Sequence, residues 1–330
     1  GIIVTASNNL DMQTLQVFLT TADERNISNA AKRLALTQSA DPQSIRQLED
    51  QFGVVLFNRQ RRPLSLTPSG LALRNQGMRL LEDMNRLKAH VIDASRGIKP
   101  DVRVGLVDSF AGSCGPAFVK AMLSQSAALS IRSGLTPYHS EALVGRDLDI
   151  VISTDPLVDL DGIERRRLLS EPFVVITPKS YSQKVQTPAD LRKLSEALPI
   201  VRFNRQSHIG AQIERFLRRI DVRIPHRLEI DTADTLTSMV ASGIGWAITT
   251  PMCLLQAKEY ASKLKLHFFS SLISGRSLYL LAREEEFNQF FDQVYAIAHS
   301  IVSTTLLQQI ASIHADLRKL IEIENKTPSD

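Results

Sequence analysis

The chain has few of the features that mark secreted, membrane-bound or disulfide-rich proteins. Only two cysteines, Cys114 and Cys253, occur in 330 residues, which argues against a disulfide framework and fits a reducing cytoplasm. No apolar run reaches the roughly 18 residues of a membrane-spanning helix, and the first residues do not have the pattern of a signal peptide. We therefore expect a cytoplasmic protein without a membrane partner.

Catalytic and metal-binding motifs are also missing from the sequence. There is no G-x-S-x-G, no glycine-rich phosphate loop, and no pair of His or Cys residues at metal-ligand spacing. The seven histidines are scattered along the chain. These absences predict a protein that is not an enzyme and uses no metal or cofactor.

The positive charge is concentrated in the first part of the chain. Residues 1–100 hold 13 Lys or Arg against 9 Asp or Glu, whereas residues 101–330 hold 26 of each kind. The whole net charge of +4 therefore lies in the first hundred residues. Such an excess suits the neutralisation of nucleic-acid phosphates, with a lysine-rich solubility surface as the alternative.

Residues 27–70 have the pattern of a DNA-reading unit that follows a first helix. A short helix, predicted to be capped by Ser28, places Ala30 and Ala31 on its inner face, and a second helix is predicted to start after Thr37. Small residues allow two helices to cross closely, as a helix-turn-helix requires. Two short apolar segments then flank an arginine-rich turn, which predicts a wing. The predicted inner face of the second helix comprises Ile45, Leu48 and Phe52.

Contacts to DNA are expected from the start of the second helix and from the wing. Side chains at the N-terminus of a recognition helix reach base edges, and wing arginines reach phosphates or the minor groove. For Ser28 and Thr37, helix capping alone is the alternative role. The candidate DNA-binding residues are Ser28, Thr37, Gln38, Ser39, Gln43, Ser44, Arg46, Arg59, Arg61 and Arg62.

Five motifs in this segment resemble the winged helix-turn-helix of the LysR-type transcriptional regulators. They are A-A-K-R-L, T-Q-S-A, I-R-Q-L-E, G-V-x-L-F-x-R and L-T-P-S-G, in that order between residues 30 and 70. The resemblance covers roughly residues 10–300. It implies a regulator that binds double-stranded promoter DNA, responds to a small-molecule effector and assembles as a homodimer or homotetramer, with RNA polymerase as a further candidate partner.

Asp41 and Pro42 depart from the family pattern, which has an apolar branched residue followed by Ser at these positions. If the helix begins after Thr37, Pro42 is its fifth residue. A proline inside a helix costs about 3 kcal/mol. The departure predicts either weakened DNA binding or a recognition helix that starts later than in relatives.

The predicted fold class is α/β, preceded along the chain by an all-α, winged N-terminal part. The chain is divided into three regions. Residues 1–67 are assigned to the winged helix-turn-helix, 68–98 to a linker helix, and 99–330 to an effector-binding domain. In the family the linker helix pairs two subunits, which gives its apolar stripe a partner. That stripe comprises Leu73, Leu80, Leu81, Met84, Leu87 and Val91.

The third region alternates strands and helices, which predicts parallel sheets covered by helices on both faces. Two chain crossings, at 166–177 and 265–269, predict two lobes: about 101–172 with 268–303, and about 173–267. The resemblance implies the two-lobed, periplasmic-binding-protein-like effector domain. An extended C-terminal helix over 304–326 is predicted either to contact another subunit or to fold back over its own lobe.

Ligands of two-lobed α/β domains bind at the carboxyl ends of strands, in the crevice between the lobes. Ser109 precedes a predicted helix whose free N–H groups can hold an anion, and Arg202 and Arg205 add positive charge, which favours a carboxylate or other polar metabolite. Phe110 and Phe203 are predicted to form apolar walls. The candidate effector-binding residues are Ser109, Phe110, Thr154, Phe203, Asn204, Ser207, His208, Thr232 and Thr249.

Two other functions are compatible with parts of the pattern. A solute-binding or carrier protein would share the two-lobed fold but would have no helix-turn-helix. A thiol-based redox-sensing regulator would use Cys114, which lies near a predicted helix N-terminus where a thiol pKa can be lowered, together with Cys253. The default interpretation of both cysteines is that they are small buried residues.

Overall fold

The structure, a computed structural model, describes residues 10–35, 40–95, 101–134, 136–269, 274–284 and 288–325. The chain forms two compact units, Gly1–Ile98 and Lys99–Asp330. The N-terminal unit contains α1 (Met12–Glu24), α2 (Ile27–Arg33), α3 (Ala40–Phe52), β1 (Phe57–Asn58), β2 (Ser65–Leu66) and α4 (Pro68–Ser95).

The C-terminal unit alternates strands and helices, with a 3-10 segment at Lys258–Lys263 and a π-helical segment at Val302–Leu306. Its elements are β3 (Asp101–Val107), α5 (Asp108–Leu123), β4 (Ala128–Gly134), α6 (Thr136–Val144), β5 (Ile150–Ser153), β6 (Ile163–Pro172), β7 (Val174–Pro178), α7 (Pro188–Ala197), β8 (Arg202–Phe203), α8 (His208–Arg219), β9 (Glu229–Ile230), α9 (Ala233–Ala241), β10 (Ala247–Thr249), α10 (Pro251–Gln256), β11 (Leu264–His267), β12 (Gly275–Arg283), α11 (Asn288–Ile301), α12 (Leu307–Ile313), α13 (Ala315–Leu320) and β13 (Glu322–Ile323).

The N-terminal unit has the predicted helix-turn-helix followed by a wing. Ala30 and Ala31 are fully buried, and Ile45 and Leu48 of α3 face the core. The hairpin pairs β1 with β2 antiparallel. The prediction that Phe52 also faces the core is wrong, because its side chain is 46% exposed on the final turn of α3, beyond the last core contact of that helix.

The start of α2 differs from the prediction. Helix α2 begins at Ile27 and is capped by Asn26, whose side chain accepts a hydrogen bond from the backbone N–H of Asn29 at 3.1 Å. Ser28 lies inside the first turn with its side chain exposed. The capping role predicted for Ser28 is therefore wrong.

The described part of helix α3 begins at Ala40 and includes Pro42. The predicted start after Thr37, and with it the cost of Pro42, therefore remains a prediction. Thr37, Gln38 and Ser39 lie outside the described residues.

The L-T-P-S-G motif joins the wing to α4. The hydroxyl of Thr67 accepts a hydrogen bond from the N–H of Gly70 at 3.0 Å, which caps the start of α4, and it donates to the carbonyl of Val55 at 2.6 Å. A Cβ at position 70 would lie 2.1 Å from the carbonyl oxygen of Leu56. Only glycine therefore allows the helix to start this close to the wing.

The C-terminal unit contains a six-stranded sheet in the order β13-β6-β12-β5-β3-β4 and a three-stranded sheet in the order β10-β7-β11. Strand β3 pairs parallel with β4 and β5, whereas β12 pairs antiparallel with β5 and β6. The three-stranded sheet is antiparallel throughout. The prediction of parallel sheets thus holds for β3 with β4 and β5 in the first lobe and for the two-stranded sheet of β8 and β9 in the second lobe. The strands β6, β7, β11 and β12 pair antiparallel instead.

The chain passes from one lobe to the other after β6, which is followed by β7, and returns between β11 and β12. Residues 270–273 of the return lie outside the described residues. The crossing strands lie close together, since a Cβ at Gly275 would lie 1.9 Å from the carbonyl oxygen of Glu171.

The end of the chain does not form the extended helix predicted over 304–326. Helix α12 stops at Ile313, His314 is extended (φ −160°, ψ 127°), and α13 then leads into β13, which pairs antiparallel with β6. Ile310 and Leu317 are fully buried. Of the two predicted roles, the segment therefore folds back over its own lobe, because its apolar residues find their partners there.

Candidate functional site

A buried carboxylate joins the recognition helix α3 to the wing. Glu49 accepts a hydrogen bond from the backbone N–H of Leu56 at 3.0 Å and pairs with both terminal nitrogens of Arg59. The Glu49 side chain is 10% exposed and that of Arg59 is 42% exposed. The pair fixes the wing relative to the helix, and it leaves part of the Arg59 guanidinium open to a ligand. Glu49 is the last residue of the I-R-Q-L-E motif, but the sequence alone does not indicate its role.

The other predicted DNA-binding side chains lie mostly at the surface. Gln43 and Arg46 are exposed on α3, and Arg61 and Arg62 are exposed at the turn of the wing. Ser44 is half-buried on α3. Together the helix and the turn present polar and cationic groups in the arrangement that reads a duplex through bases and phosphates.

A polar pocket of about 520 Å³ lies between the two lobes. One wall is the face of β13, β6 and β12, including Ser170 and Ser277, whose hydroxyl oxygens are 2.7 Å apart. The opposite wall is α8 of the second lobe. Thr154, which follows β5, closes one side.

Helix α8 contributes three residues, His208, Gln212 and Arg215, from one of its faces. Nδ1 of His208 lies 2.9 Å from the hydroxyl oxygen of Thr154, so one hydrogen bond spans the lobes. Burial lowers the pKa of His208, which keeps the imidazole neutral at pH 7. The described structure gives the buried Oε1 of Gln212 no hydrogen-bond partner.

A buried ion pair lies behind the pocket, at the hinge. Nε of Arg276 is 2.7 Å from Oε2 of Glu171, and their side chains are 3% and 1% exposed. Arg276 also donates to the hydroxyl of Ser109 at 2.8 Å, and Glu171 accepts from the backbone N–H of Met252 at 2.8 Å. This hinge brace therefore connects both crossing strands with α5 of the first lobe and α10 of the second.

The structure places two of the nine predicted effector residues, Thr154 and His208, on the lining of this pocket. Ser109 is 3% exposed and engages Arg276 instead of an open cleft. Ser207 caps α8 through the N–H of Gly210 at 3.1 Å, and Asn204 donates to Asp231 at 3.1 Å.

The other predicted effector residues lie away from this pocket. Phe110 and Phe203 are core residues, 0% and 4% exposed, so the prediction that they form its apolar walls is wrong. Thr232 begins α9, where its hydroxyl donates to that of Thr235. Thr249 is fully buried at the end of β10.

The two arginines expected to add charge to the cleft are already paired elsewhere. Arg202 is 4% exposed and binds Glu214 at 2.7 Å and two backbone carbonyls. Arg205 binds Glu229 at 2.9 Å.

Sequence reasoning missed the pocket residues Gln212, Arg215 and Glu322. A usable signal exists for the first two, because positions 208, 212 and 215 have the i, i+4, i+7 spacing of one helix face. No comparable signal exists for Glu322, since its place in the pocket depends on how the chain end pairs with β6.

Both cysteines are buried, and burial disfavours their reactive thiolate form. It raises the pKa of Cys114 to about 11 and also raises the pKa of Cys253. This is the default interpretation of these cysteines, as small buried residues.

The described residues contain no group of three or more His, Cys, Asp or Glu side chains placed to hold a metal ion. None of their helices combines the length and apolarity needed to cross a membrane.

Comparison with known proteins matches both units to one family. Residues 12–71 match the bacterial regulatory helix-turn-helix protein, lysR family, and residues 95–294 match the LysR substrate binding domain. The HTH-type transcriptional regulator GltR of Bacillus subtilis is 25% identical over 283 residues, covering 84% of this chain and 91% of that protein. The regulator CzcR of Bacillus anthracis is 23% identical, covering 84% and 93%.

Solved structures share the fold at low sequence identity. Full-length CbnR in complex with its target DNA is 18% identical with a TM-score of 0.59, covering 88% of this chain and 99% of that one. A full-length OxyR from Pseudomonas aeruginosa is 20% identical with a TM-score of 0.58, covering 88% and 97%. DarR of Vibrio fischeri, also in complex with DNA, is 21% identical with a TM-score of 0.51, covering 88% and 99%.

Proposed function

The chain belongs to the LysR family of transcriptional regulators, and from this premise we propose how its two units work together. A homo-oligomer binds promoter DNA through α3 and the wing, and a small molecule in the interlobe pocket changes that binding or the activation that follows. One observation carries the proposal: the same chain holds a recognition helix braced to its wing and a two-lobed domain with a polar pocket at the hinge.

Double-stranded DNA is the proposed macromolecular partner. The exposed Arg46, Arg61 and Arg62 supply cations beside the helix that would enter the major groove. CbnR and DarR were determined with DNA bound, which supports the same partner here. RNA polymerase is a further proposed partner, and the proposed compartment is the cytoplasm, where the chromosome lies.

The apolar residues of α4 support a homo-oligomer, either a dimer or a tetramer. Leu80, Met84, Leu87 and Val91 are between 42% and 63% exposed. Apolar side chains repeated along one helix are typical of a surface that pairs with a second copy. A two-fold pair would place two recognition helices for a near-palindromic site.

The effector part of the proposal concerns binding rather than catalysis. A ligand that contacts both walls of the pocket favours one relative position of the lobes, and it thereby shifts the populations of the regulator. We propose no enzymatic activity, in keeping with relatives that are transcriptional regulators. A solute carrier of the same fold would have no use for the winged unit.

Selection from a random duplex library by the full-length chain, followed by gel shifts, tests the DNA part. A sequence with two related half-sites should be enriched. Arg61→Ala with Arg62→Ala should weaken its binding and reduce the slope of log affinity against log salt by about two, whereas Arg223→Ala, at a side chain 93% exposed on the other unit, should change neither. If neither the wild-type chain nor the double variant Asp41→Val with Pro42→Ser enriches any sequence, promoter recognition is refuted.

A thermal-shift screen of small metabolites against the full-length chain tests the effector part. Compounds that raise the unfolding temperature should lose their effect in His208→Gln, because the imidazole joins the two walls through Thr154. Hits that are indifferent to this change would place the effector outside the pocket.

A further inference from the structure

The chain end adds a structural element to the domain that lies beyond the family match. The match to the LysR substrate binding domain ends at residue 294, within α11. Residues 302–325, which follow α11, are here called the C-terminal tail. The tail contains α12, α13 and β13, and it is held by the fully buried Leu306, Ile310 and Leu317. Arg167 binds Glu324 at 2.5 Å, which fixes its end.

The tail forms part of the pocket wall. Leu320 and Glu322 both line the pocket. In the sheet, Glu322 is opposite Ser170, and Ser170 is opposite Ser277. Residues directly opposite each other in neighbouring strands place their side chains on the same face. The carboxylate of Glu322 therefore extends a row of hydroxyl groups along the pocket floor.

The facing wall carries the opposite charge. Arg215 of α8 lines the pocket and is exposed, and His208 and Gln212 lie on the same helix face. Neither Arg215 nor Glu322 has an ion-pair partner within the described part of the chain. The described lining of the pocket thus has one unpaired cation on the second lobe and one unpaired anion on the tail of the first lobe. Its other charged residues, Glu171 and Arg276, are paired with each other.

We propose that the effector is a small zwitterion, an amino acid or a similar amino-carboxylate, held with its carboxylate on Arg215 and its ammonium group on Glu322. This inference rests on the proposed function, since it takes the pocket to be the effector site. The Oε1 of Gln212, which has no hydrogen-bond partner, accepts a hydrogen bond from a ligand N–H. Because the two charges come from different lobes, only a ligand with both charges pairs both of them at once.

The tail is then a specificity element of this chain. A ligand that has a carboxylate but no ammonium group leaves Glu322 unpaired, and an amine without a carboxylate leaves Arg215 unpaired. Sites that pair polar groups discriminate strongly against analogues that lack one of them. A zwitterion that binds both lobes also favours their closed arrangement, which couples recognition to regulation.

Calorimetric titration of the full-length chain tests the proposal, with the twenty protein amino acids as individual probes. Each amino acid that binds is compared with its des-amino acid and with its decarboxylated amine. At least one amino acid should bind, and both of its analogues should bind at least 10-fold more weakly. Glu322→Gln should weaken the binding of the amino acid at least 10-fold and leave the affinity for the des-amino acid unchanged. Arg215→Gln should also weaken the binding of the amino acid at least 10-fold, but it should leave the affinity for the decarboxylated amine unchanged.

The control variant is Glu196→Gln, at an exposed carboxylate on α7, which should bind the amino acid as wild type does. Glu322 is itself exposed on an edge strand, so its amide should fold normally, which the fluorescence of Trp246 checks. If simple carboxylates or neutral compounds bind but no amino acid does, and if His208→Gln abolishes that binding, the zwitterion proposal is refuted. The pocket would then still be the effector site. Amino-acid binding that is indifferent to Glu322→Gln would refute the role of the tail. No binding of any probe, with no hit in the thermal-shift screen, would refute both proposals.

Discussion

Removing Arg276 should destabilise the C-terminal unit more than any single surface change, because it leaves Glu171 buried without its cation. In Arg276→Met the carboxylate keeps only the backbone N–H of Met252, at 2.8 Å, and the hydroxyl of Ser109 loses its donor. Breaking a buried ion pair costs about 3–5 kcal/mol. Since one hydrogen bond remains, we expect a loss of about 3 kcal/mol in the free energy of unfolding.

Two further variants separate the ion pair from packing. Glu171→Leu with Arg276→Met removes both charges, so its loss should be smaller than that of Arg276→Met alone, about 1–2 kcal/mol. Arg205→Met breaks the same kind of pair at the surface, where the arginine is 56% exposed, and should cost less than about 1 kcal/mol.

Urea unfolding followed by the fluorescence of Trp246 measures these losses. Trp246 is the single tryptophan of the chain and is fully buried in the C-terminal unit, so its signal reports the unit that contains the brace. An Arg276→Met loss no larger than that of Arg205→Met would refute the reasoning. It would mean that water or a local rearrangement solvates Glu171.

Three other variants test separate parts of the structure. Arg59→Ala should weaken DNA binding by about 1–3 kcal/mol in gel shifts, partly because Glu49 then no longer holds the wing; unchanged affinity would place the wing off the DNA. Leu80→Glu with Leu87→Glu should yield monomers in sizing with light scattering, since both side chains lie exposed on α4; a surviving oligomer would assign assembly to another surface. Burial lowers the pKa of His267 from 6.5 to about 4, so below pH 6.5 the unfolded chain binds a proton that the folded chain does not, and stability should fall as the pH drops from 6.5 to 4. His267→Gln should remove about 1–2 kcal/mol of that fall, allowing for solvent screening, and identical pH profiles would contradict the assignment.

The sequence predicts the N-terminal unit well because its signals are local. The L-T-P-S-G motif encodes a cap at Thr67 and a close approach at Gly70, and both depend on residues within about one turn of the wing.

The effector pocket was predicted less well, because its contacts join distant parts of the chain. Ser109 follows a strand and starts a helix, as an anion site requires, but its hydroxyl is taken by Arg276, 167 residues away. Phe110 lies in the first turn of α5, just after β3, and Phe203 is the last residue of β8. At such positions an aromatic residue can face either a cleft or the core. Only the three-dimensional packing distinguishes the two.

The C-terminal tail shows the limit of periodicity as a signal. Apolar residues continue at helical spacing from Leu306 to Ile321 without a Gly or Pro between them, which favours one long helix. The chain nevertheless breaks at His314, because a straight helix would carry Leu317 and Ile321 away from the lobe and leave them in water. Burial of these two side chains therefore outweighs the local helical preference.

The crossing strands place the pocket and the hinge brace at adjacent positions. Ser170 of β6 and Ser277 of β12 line the pocket. Their neighbours along the same strands, Glu171 on β6 and Arg276 on β12, form the buried ion pair. Successive side chains of a strand point to opposite faces, so a ligand on one face and α5 with α10 on the other contact the same two strands. A shift of these strands that suits the ligand must therefore also change the packing of both helices against the brace. This shared backbone gives a physical route by which an occupied pocket can alter the arrangement of the two lobes.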